Sequence, residues 1–299
     1  MYLRANTSYK SFMTNISECY TLHNGVKIPC IGFGTYKLEK EKATDIMLTA
    51  IRAGYRFFDT ASYYGTEIYL ADAIKRSGFK REDFFITSKV WKSEMGYQNT
   101  LMAFSHTLKN LDTDYLDLYL IHWPRPALDM EWKDICVDTW KAMEELYKTG
   151  KVRAIGLSNF LPHHMDVILQ NCSVKPMVNQ LEIHPGYMQE NAVNYSQVNG
   201  MLVQAWSPLG RQRVLQASII TELAAKYKVS PARICLRYEL QKGINPIPKA
   251  SVMERMKDNM DVFDFEISIE DMHRLNTLPQ IGWSGSHPDY GWGELKDCF

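Results

Sequence analysis

Short, mostly apolar runs alternate with amphipathic stretches along most of this chain. The runs lie at 31–33, 55–58, 84–87, 116–121, 154–157, 177–179, 202–205 and 244–247. They have the length of buried strands, and a parallel sheet covered by helices on its faces calls for strands of this kind. Between them the period changes to that of a helix. The clearest case places Cys136, Trp140, Met143 and Tyr147 on one stripe, with Glu144 and Lys148 paired on the outer face and Gly150 ending the helix. Another starts at Ser230-Pro231, a cap followed by proline in the first turn, and runs to Gln241 ahead of Gly243. Repeated strand–helix alternation with short links predicts an α/β protein, a closed (β/α)8 TIM barrel rather than an open sheet. Ahead of the first repeat, segments 20–22 and 26–28 flank His23-Asn24-Gly25. The Asn-Gly pair predicts a tight hairpin turn, and a hairpin at this place is expected to plug the floor of the barrel. Residues 1–15 read as a loose polar tail, with Met13 a candidate natural start, and 16–299 as a single barrel domain.

Composition narrows the function. Lys and Arg number 34 and Asp and Glu number 34, so no global field argues for nucleic acid or an acidic membrane surface. No apolar run has the length of a membrane span, and the first residues lack a signal-peptide core. The six cysteines are scattered, without a CxxC pair or a His-rich cluster at metal spacing. A cytoplasmic protein with reduced thiols and no metal is expected, acting as a monomer on a small molecule.

Candidate chemistry collects just after the strands, which in this architecture all end on one face. The second strand runs into Asp59-Thr60-Ala61-Ser62-Tyr63-Tyr64-Gly65. Lys89 stands at the end of the third, His122 at the end of the fourth, and Ser158-Asn159 follow the fifth. Gln180 follows the sixth, Trp206-Ser207-Pro208-Leu209-Gly210 the seventh, and Pro248-Lys249 the eighth. Singly, each has an ordinary alternative: a helix cap, a solvated lysine, a packed histidine. A barrel mouth lined on every side by such residues reads as a site. A phenol with an unperturbed pKa of about 10 is a poor acid near neutrality. An ammonium beside it is expected to lower that value, with a carboxylate holding the ammonium in place. Asp59, Lys89 and Tyr64 suit that relay, and His122 suits a neutral donor that orients a carbonyl. A dinucleotide fold is disfavoured, because Gly32-Phe33-Gly34 lacks the third glycine of GxGxxG, with Lys37 in its place.

Three segments in order, Gly54-Tyr55-Arg56-Phe57-Phe58-Asp59-Thr60-Ala61, Leu111-Asp112-Thr113-Asp114-Tyr115-Leu116-Asp117-Leu118 and Ile247-Pro248-Lys249-Ala250, resemble the signatures of the aldo-keto reductases. The resemblance covers nearly the whole chain and implies carbonyl reduction with NADPH. It implies a catalytic tetrad of Asp59, Tyr64, Lys89 and His122, with Tyr64 as proton donor. It further implies that Ser158, Asn159 and Gln180 hold the nicotinamide amide and that Trp206 stacks on its ring. Ser207, Leu209 and Gly210 match the pyrophosphate side, Lys249, Ser251, Arg255 and Asn259 the adenosine end, and Gly34, Thr35 and Tyr36 complete the cofactor contacts. Tyr36, Tyr63, Trp91, His122 and Trp123 are expected around the substrate. The aromatic tail (Trp283, Tyr290, Trp292, Phe299) is expected over the site, with barrel packing as its alternative. Departures from the family pattern are Thr66 in place of Asn, Ala71 in place of Gly and Ala250 in place of Ser. Trp206 and the short connection after His122 make the chain look like the bacterial diketogluconate-reductase-like branch. The competing functions are a non-catalytic barrel binding NADPH as a sensor or auxiliary subunit, and a Schiff-base aldolase using Lys89.

Overall fold

A computed structural model describes residues 13–127 and 131–290. Strands β1 (Cys19–Thr21) and β2 (Lys27–Pro29) form an antiparallel hairpin, with Gly25 in the left-handed region at φ 86°. There follow β3 (Phe33–Gly34), α1 (Lys40–Ala53), β4 (Phe57–Asp59), α2 (Glu67–Ser77), β5 (Phe85–Val90) and α3 (Tyr97–Leu111). Next come β6 (Leu118–Ile121), α4 (Trp132–Lys148), β7 (Ile155–Ser158), α5 (Pro162–Asn171), β8 (Val178–Glu182) and α6 (Glu190–Val198). The chain continues with β9 (Leu202–Trp206), α7 (Ser218–Tyr227), α8 (Pro231–Gln241), β10 (Asn245–Ile247), α9 (Met253–Met260) and α10 (Ile269–Asn276).

β3 to β10 form one 8-stranded sheet in sequence order, every pairing parallel. Gly32 N donates to Pro246 O and Gly34 N to Pro248 O, each at 3.0 Å, which joins the last strand to the first. The (β/α)8 barrel is thereby closed. α7 and α10 lie outside the repeat. The hairpin covers the floor: His23 Nε2 meets Pro176 O at 3.2 Å, and Asn24 donates to Arg153 O at 2.9 Å. Asn245, at the start of β10, donates to Pro29 O and Cys30 O.

Observed strands reach past the apolar runs into polar residues. β5 includes Ser88 and Lys89, and β4 ends on Asp59. Ladder hydrogen bonds involve backbone groups alone, so pairing continues where apolarity stops, and the polar ends are carried rigidly by the sheet. Along α4, Cys136, Trp140 and Met143 are buried. Glu144 is not a surface residue, contrary to its assignment to the outer face. It is buried, accepting from Ser173 N, Ser173 Oγ and Val174 N, while Lys148 reaches it at 3.7 Å. The inner layers are tight. A Cβ on Gly156 in β7 would lie 2.7 Å from Val178 O and 2.8 Å from Leu120 Cδ2. Among the described residues no helix is long and apolar enough to cross a membrane.

Candidate active site

Four polar side chains meet where β4, β5 and β6 end. Asp59 is the last residue of β4 and Lys89 lies near the end of the adjacent β5. His122 immediately follows β6. After Asp59 the chain makes one 3-10 turn, Ser62–Tyr64, closed by Gly65 at φ 64°, and this turn brings Tyr64 back over the barrel mouth. Lys89 Nζ lies 2.6 Å from Asp59 Oδ1, 2.9 Å from Thr60 O and 3.5 Å from Tyr64 Oη. Tyr64 Oη lies 3.3 Å from His122 Nε2. Thr66 occupies a buried knot, its hydroxyl 2.9 Å from those of both Thr35 and Thr60.

Burial controls the electrostatics. His122 is held well below its usual pKa by desolvation and then by the Lys89 charge, so it is neutral. Lys89 is lowered by burial, against the pull of Asp59. Tyr64 departs from the sequence expectation: its pKa is raised well above 10, by burial first, then by the Asp59 charge and the neighbouring Tyr36 phenol. The Lys89 ammonium, 2.6 Å from Asp59 and 3.5 Å from the phenol oxygen, does not outweigh that burial. Tyr64 is therefore a protonated phenol throughout the neutral range.

Asp59, Tyr64 and His122 floor a cavity of about 350 Å³. Its lining includes Gly34, Tyr36, Asp59, Tyr63, Tyr64, Trp91, His122, Trp123, Ser158, Asn159, Gln180, Trp206, Ser207, Leu209 and Lys249. Tyr63 and Trp91 stack with ring centroids 3.8 Å apart, and Trp91 meets His122 edge-on at 4.9 Å. Lys89 is absent from the lining, fully buried behind Asp59 and Tyr64. Thr35 is buried too, bonded to Asp59 O, and Gly210, Ser251, Arg255 and Asn259 do not reach the cavity. Lys37, Pro208, Arg211, Gln212, Ile247 and Pro248 also line it. Arg211 and Gln212 carry no sequence signal, since the left-handed conformations that turn them inward, φ 53° and 70°, belong to the loop after β9.

At the ends of β7, β8 and β9 the polar groups are already engaged with one another and with the tetrad. Ser158 Oγ donates to Gln180 O at 3.0 Å, and Asn159 Nδ2 donates to His122 O at 2.9 Å. Asn159 Oδ1 accepts from Trp206 Nε1. Lys249 donates to Lys37 O at 3.0 Å, and burial together with the Lys37 charge lowers its pKa. With Arg211 these make a cationic rim along β9, β10 and β3, fitted to an anion such as a phosphate.

Trp283 and Tyr290 do not line this cavity. Trp283 donates to Ser286 O and borders a separate groove, while Tyr290 is exposed. Trp292 and Phe299 lie outside the described residues. His163, His164 and Asp289 cluster beside that groove. There His164 Nδ1 accepts from Leu161 N, so in the neutral ring Nε2 carries the proton and faces Asp289 at 3.0 Å.

A model of the Aldo/keto reductase family matches residues 30–279. Glyoxal reductase of Bacillus subtilis (strain 168) is 44% identical over 277 residues, covering 92% of this chain and 98% of its own. Among solved structures, an aldo/keto reductase from Brucella melitensis superposes with a TM-score of 0.82 at 38% identity, covering 87% of this chain and 98% of its own. The aldose reductase from Schistosoma japonicum gives 0.84 at 36% identity, covering 93% and 99%.

Proposed function

The chain belongs to the aldo/keto reductase family, and from that premise we propose that it reduces small aldehydes or ketones to alcohols with NADPH. The observation that carries this reading is the crowding of donors around Tyr64 Oη. Lys89 Nζ, 3.5 Å away, has only hydrogens to offer. His122 Nδ1 is buried without a partner among the described residues, and an orphaned lone pair costs less than an orphaned N–H. The His122 proton therefore belongs on Nε2, facing Tyr64. With donors on both sides, the phenol's own hydrogen is left to point into the cavity, where a substrate oxygen would lie.

In this mechanism Tyr64 donates that proton to the carbonyl oxygen, and the His122 Nε2–H, 3.3 Å from Tyr64 Oη in the free site, is shared with that oxygen as it enters. Lys89 then stabilises the phenolate formed, and Asp59 keeps Lys89 charged and in place. The nicotinamide cofactor, when bound, supplies the hydride. Its fit rests on three features: the Trp206 face, the Gln180 amide and the cationic rim. Lys249 lines the cavity beside Lys37 and Arg255 follows it in α9, a pair of cations that favours a 2′-phosphate and hence NADPH over NADH. The tight aromatic wall of Tyr63, Trp91 and Trp123 suits small carbonyls, and the glyoxal reductase relative directs attention to α-dicarbonyls. One chain supplies every residue named, so a monomer suffices.

A Schiff-base role for Lys89 is disfavoured because its amine is buried and paired. A sensor role for the same fold is separated by turnover. NADPH oxidation is followed with glyoxal, methylglyoxal and aromatic aldehydes, beside NADPH and NADH titrations of wild type and Arg255→Ala. Reduction of at least one carbonyl is expected, with NADPH bound about tenfold or more tighter than NADH. Tight NADPH binding without turnover of any carbonyl would establish the sensor reading instead.

A further inference from the structure

We infer that Gln204 and Asn245, two buried amides beneath the cavity, are positioning residues that set which end of the Gln180 amide faces the cofactor. They thereby make the site prefer a carboxamide to a carboxylate. The inference rests on the nicotinamide reading above.

The three residues form one layer inside the barrel. Gln204 on β9 is in register with Gln180 on β8 and with Asn245 on β10. All three are buried, so bulk water does not satisfy their amides. Each amide has a donor end and an acceptor end, and the floor of the barrel decides which is which. Pro29 O and Cys30 O can only accept. Asn245 Nδ2 donates to them at 3.1 Å and 2.7 Å. Asn245 Oδ1 must then face the other way, and it accepts from Gln204 Nε2 at 2.8 Å. That leaves Gln204 Oε1 pointing at Gln180, whose Nε2 donates to it at 3.2 Å and to Asp59 Oδ2 at 2.8 Å.

Turning any one amide over would set two acceptors or two donors against each other in a dry interior. For Gln180 a turn would press Oε1 against both the Asp59 carboxylate and Gln204 Oε1. The direction of every bond is thus transmitted from the hairpin carbonyls to the cavity. Gln180 Oε1 is the end left over. No described residue donates to it, and Gln180 lines the cavity. A carboxamide NH2 satisfies this acceptor, whereas a carboxylate in the same place opposes it. Without Gln204 the Gln180 amide is tethered only at Asp59 and is free to pivot.

The test compares affinities for three ligands by calorimetry: NADP+, its nicotinic-acid analogue with a carboxylate for the carboxamide, and 2′-phospho-ADP-ribose, which lacks the nicotinamide. Wild type is expected to favour NADP+ over the acid analogue about tenfold or more. Gln204→Met, close in size but without an amide, is expected to cut that ratio at least threefold while leaving 2′-phospho-ADP-ribose affinity unchanged. Because Gln204→Met orphans Asn245 Oδ1, the double variant Gln204→Met/Asn245→Leu is measured beside it. The double variant in turn leaves Pro29 O and Cys30 O without that donor, so thermal unfolding of both variants checks that they fold, and the discrimination is expected to stay lost in each. Undiminished discrimination in either folded variant overturns the inference alone. A wild type that binds neither dinucleotide overturns the cofactor reading and the inference with it. A wild type that binds both equally overturns only the inference.

Discussion

Trp206 Nε1 donates a 2.8 Å hydrogen bond to Asn159 Oδ1. Asn159 Nδ2 is meanwhile engaged with His122 O and Ser158 Oγ, and Asn159 itself is held at φ 64°. In the proposed complex both Trp206 and Asn159 face the nicotinamide, so cofactor binding must exchange this bond for new ones. Trp206→Phe keeps a ring and removes the competing donor. It is expected to bind NADPH at least as tightly as wild type, up to about fivefold tighter, the equivalent of one neutral hydrogen bond of about 1 kcal/mol. Trp206→Ala loses the ring as well and binds more weakly. Equal weakening in both, by calorimetry, would show that the bond does not compete.

Tyr64→Phe is expected to lower the rate of carbonyl reduction about 10²–10⁴-fold, the usual contribution of a general acid, with NADPH affinity retained. Lys89→Met should fall about as far. The double variant should be little worse than either single one, because the two act as one unit. Multiplicative losses in steady-state kinetics would refute the relay.

Asp59 and Lys89 are both buried, so removing one partner leaves the other without compensation. Asp59→Asn is expected to cost about 3–5 kcal/mol in urea unfolding. Its Lys89 pKa, already lowered by burial, should drop further. A lysine depressed in the folded state stabilises least at low pH, so the loss should deepen as pH falls. Adding Lys89→Met should recover much of the stability, and failure to do so would mean that the cost lies elsewhere.

Glu182 closes β8 and accepts from both Ser284 N and Ser284 Oγ, tying the segment after α10 to the barrel. Burial raises its pKa from 4.5 to about 7. Between those values the folded state holds a proton that the unfolded state has released, so stability falls as pH rises from 4.5 toward 7 and levels off above. The effect is of order 3 kcal/mol. Glu182→Gln should flatten that slope in unfolding measured at pH 5, 6 and 7. Glu239, buried in α8 with neither carboxyl oxygen partnered among the described residues, adds a slope of the same sign. Glu239→Met should therefore stabilise the protein at pH 7, by about 1–3 kcal/mol.

Gly156→Ala would place a methyl group against the Val178 carbonyl and the Leu120 side chain in the barrel's inner layer. Backbone does not move aside cheaply, so a loss of about 1–3 kcal/mol is expected. An unchanged melting temperature would show the barrel to be looser than its geometry.

The alternation of apolar runs with helical stretches determined the barrel, because strand burial and helix amphipathicity are local properties of sequence. Parallel strands all end on one face, so position in sequence also determined that Asp59, Tyr64, Lys89 and His122 share the mouth. The family motifs pointed to the same residues. What each group does to its neighbours depended on tertiary structure. Lys89 faces Asp59 more closely than Tyr64, and burial outweighs its charge, so the phenol pKa rises where the residue types suggested a fall. Arg211 and Gln212 line the cavity only because the loop after β9 takes left-handed turns there. Gln180 stood out at a strand end, but Gln204 and Asn245 are far from it in sequence and unremarkable in type. Barrel closure and strand register alone set them side by side, and the hairpin carbonyls beneath them decide which way each amide points. Hydrogen-bond direction in a dry interior is a property of the whole network, and no residue carries it by itself.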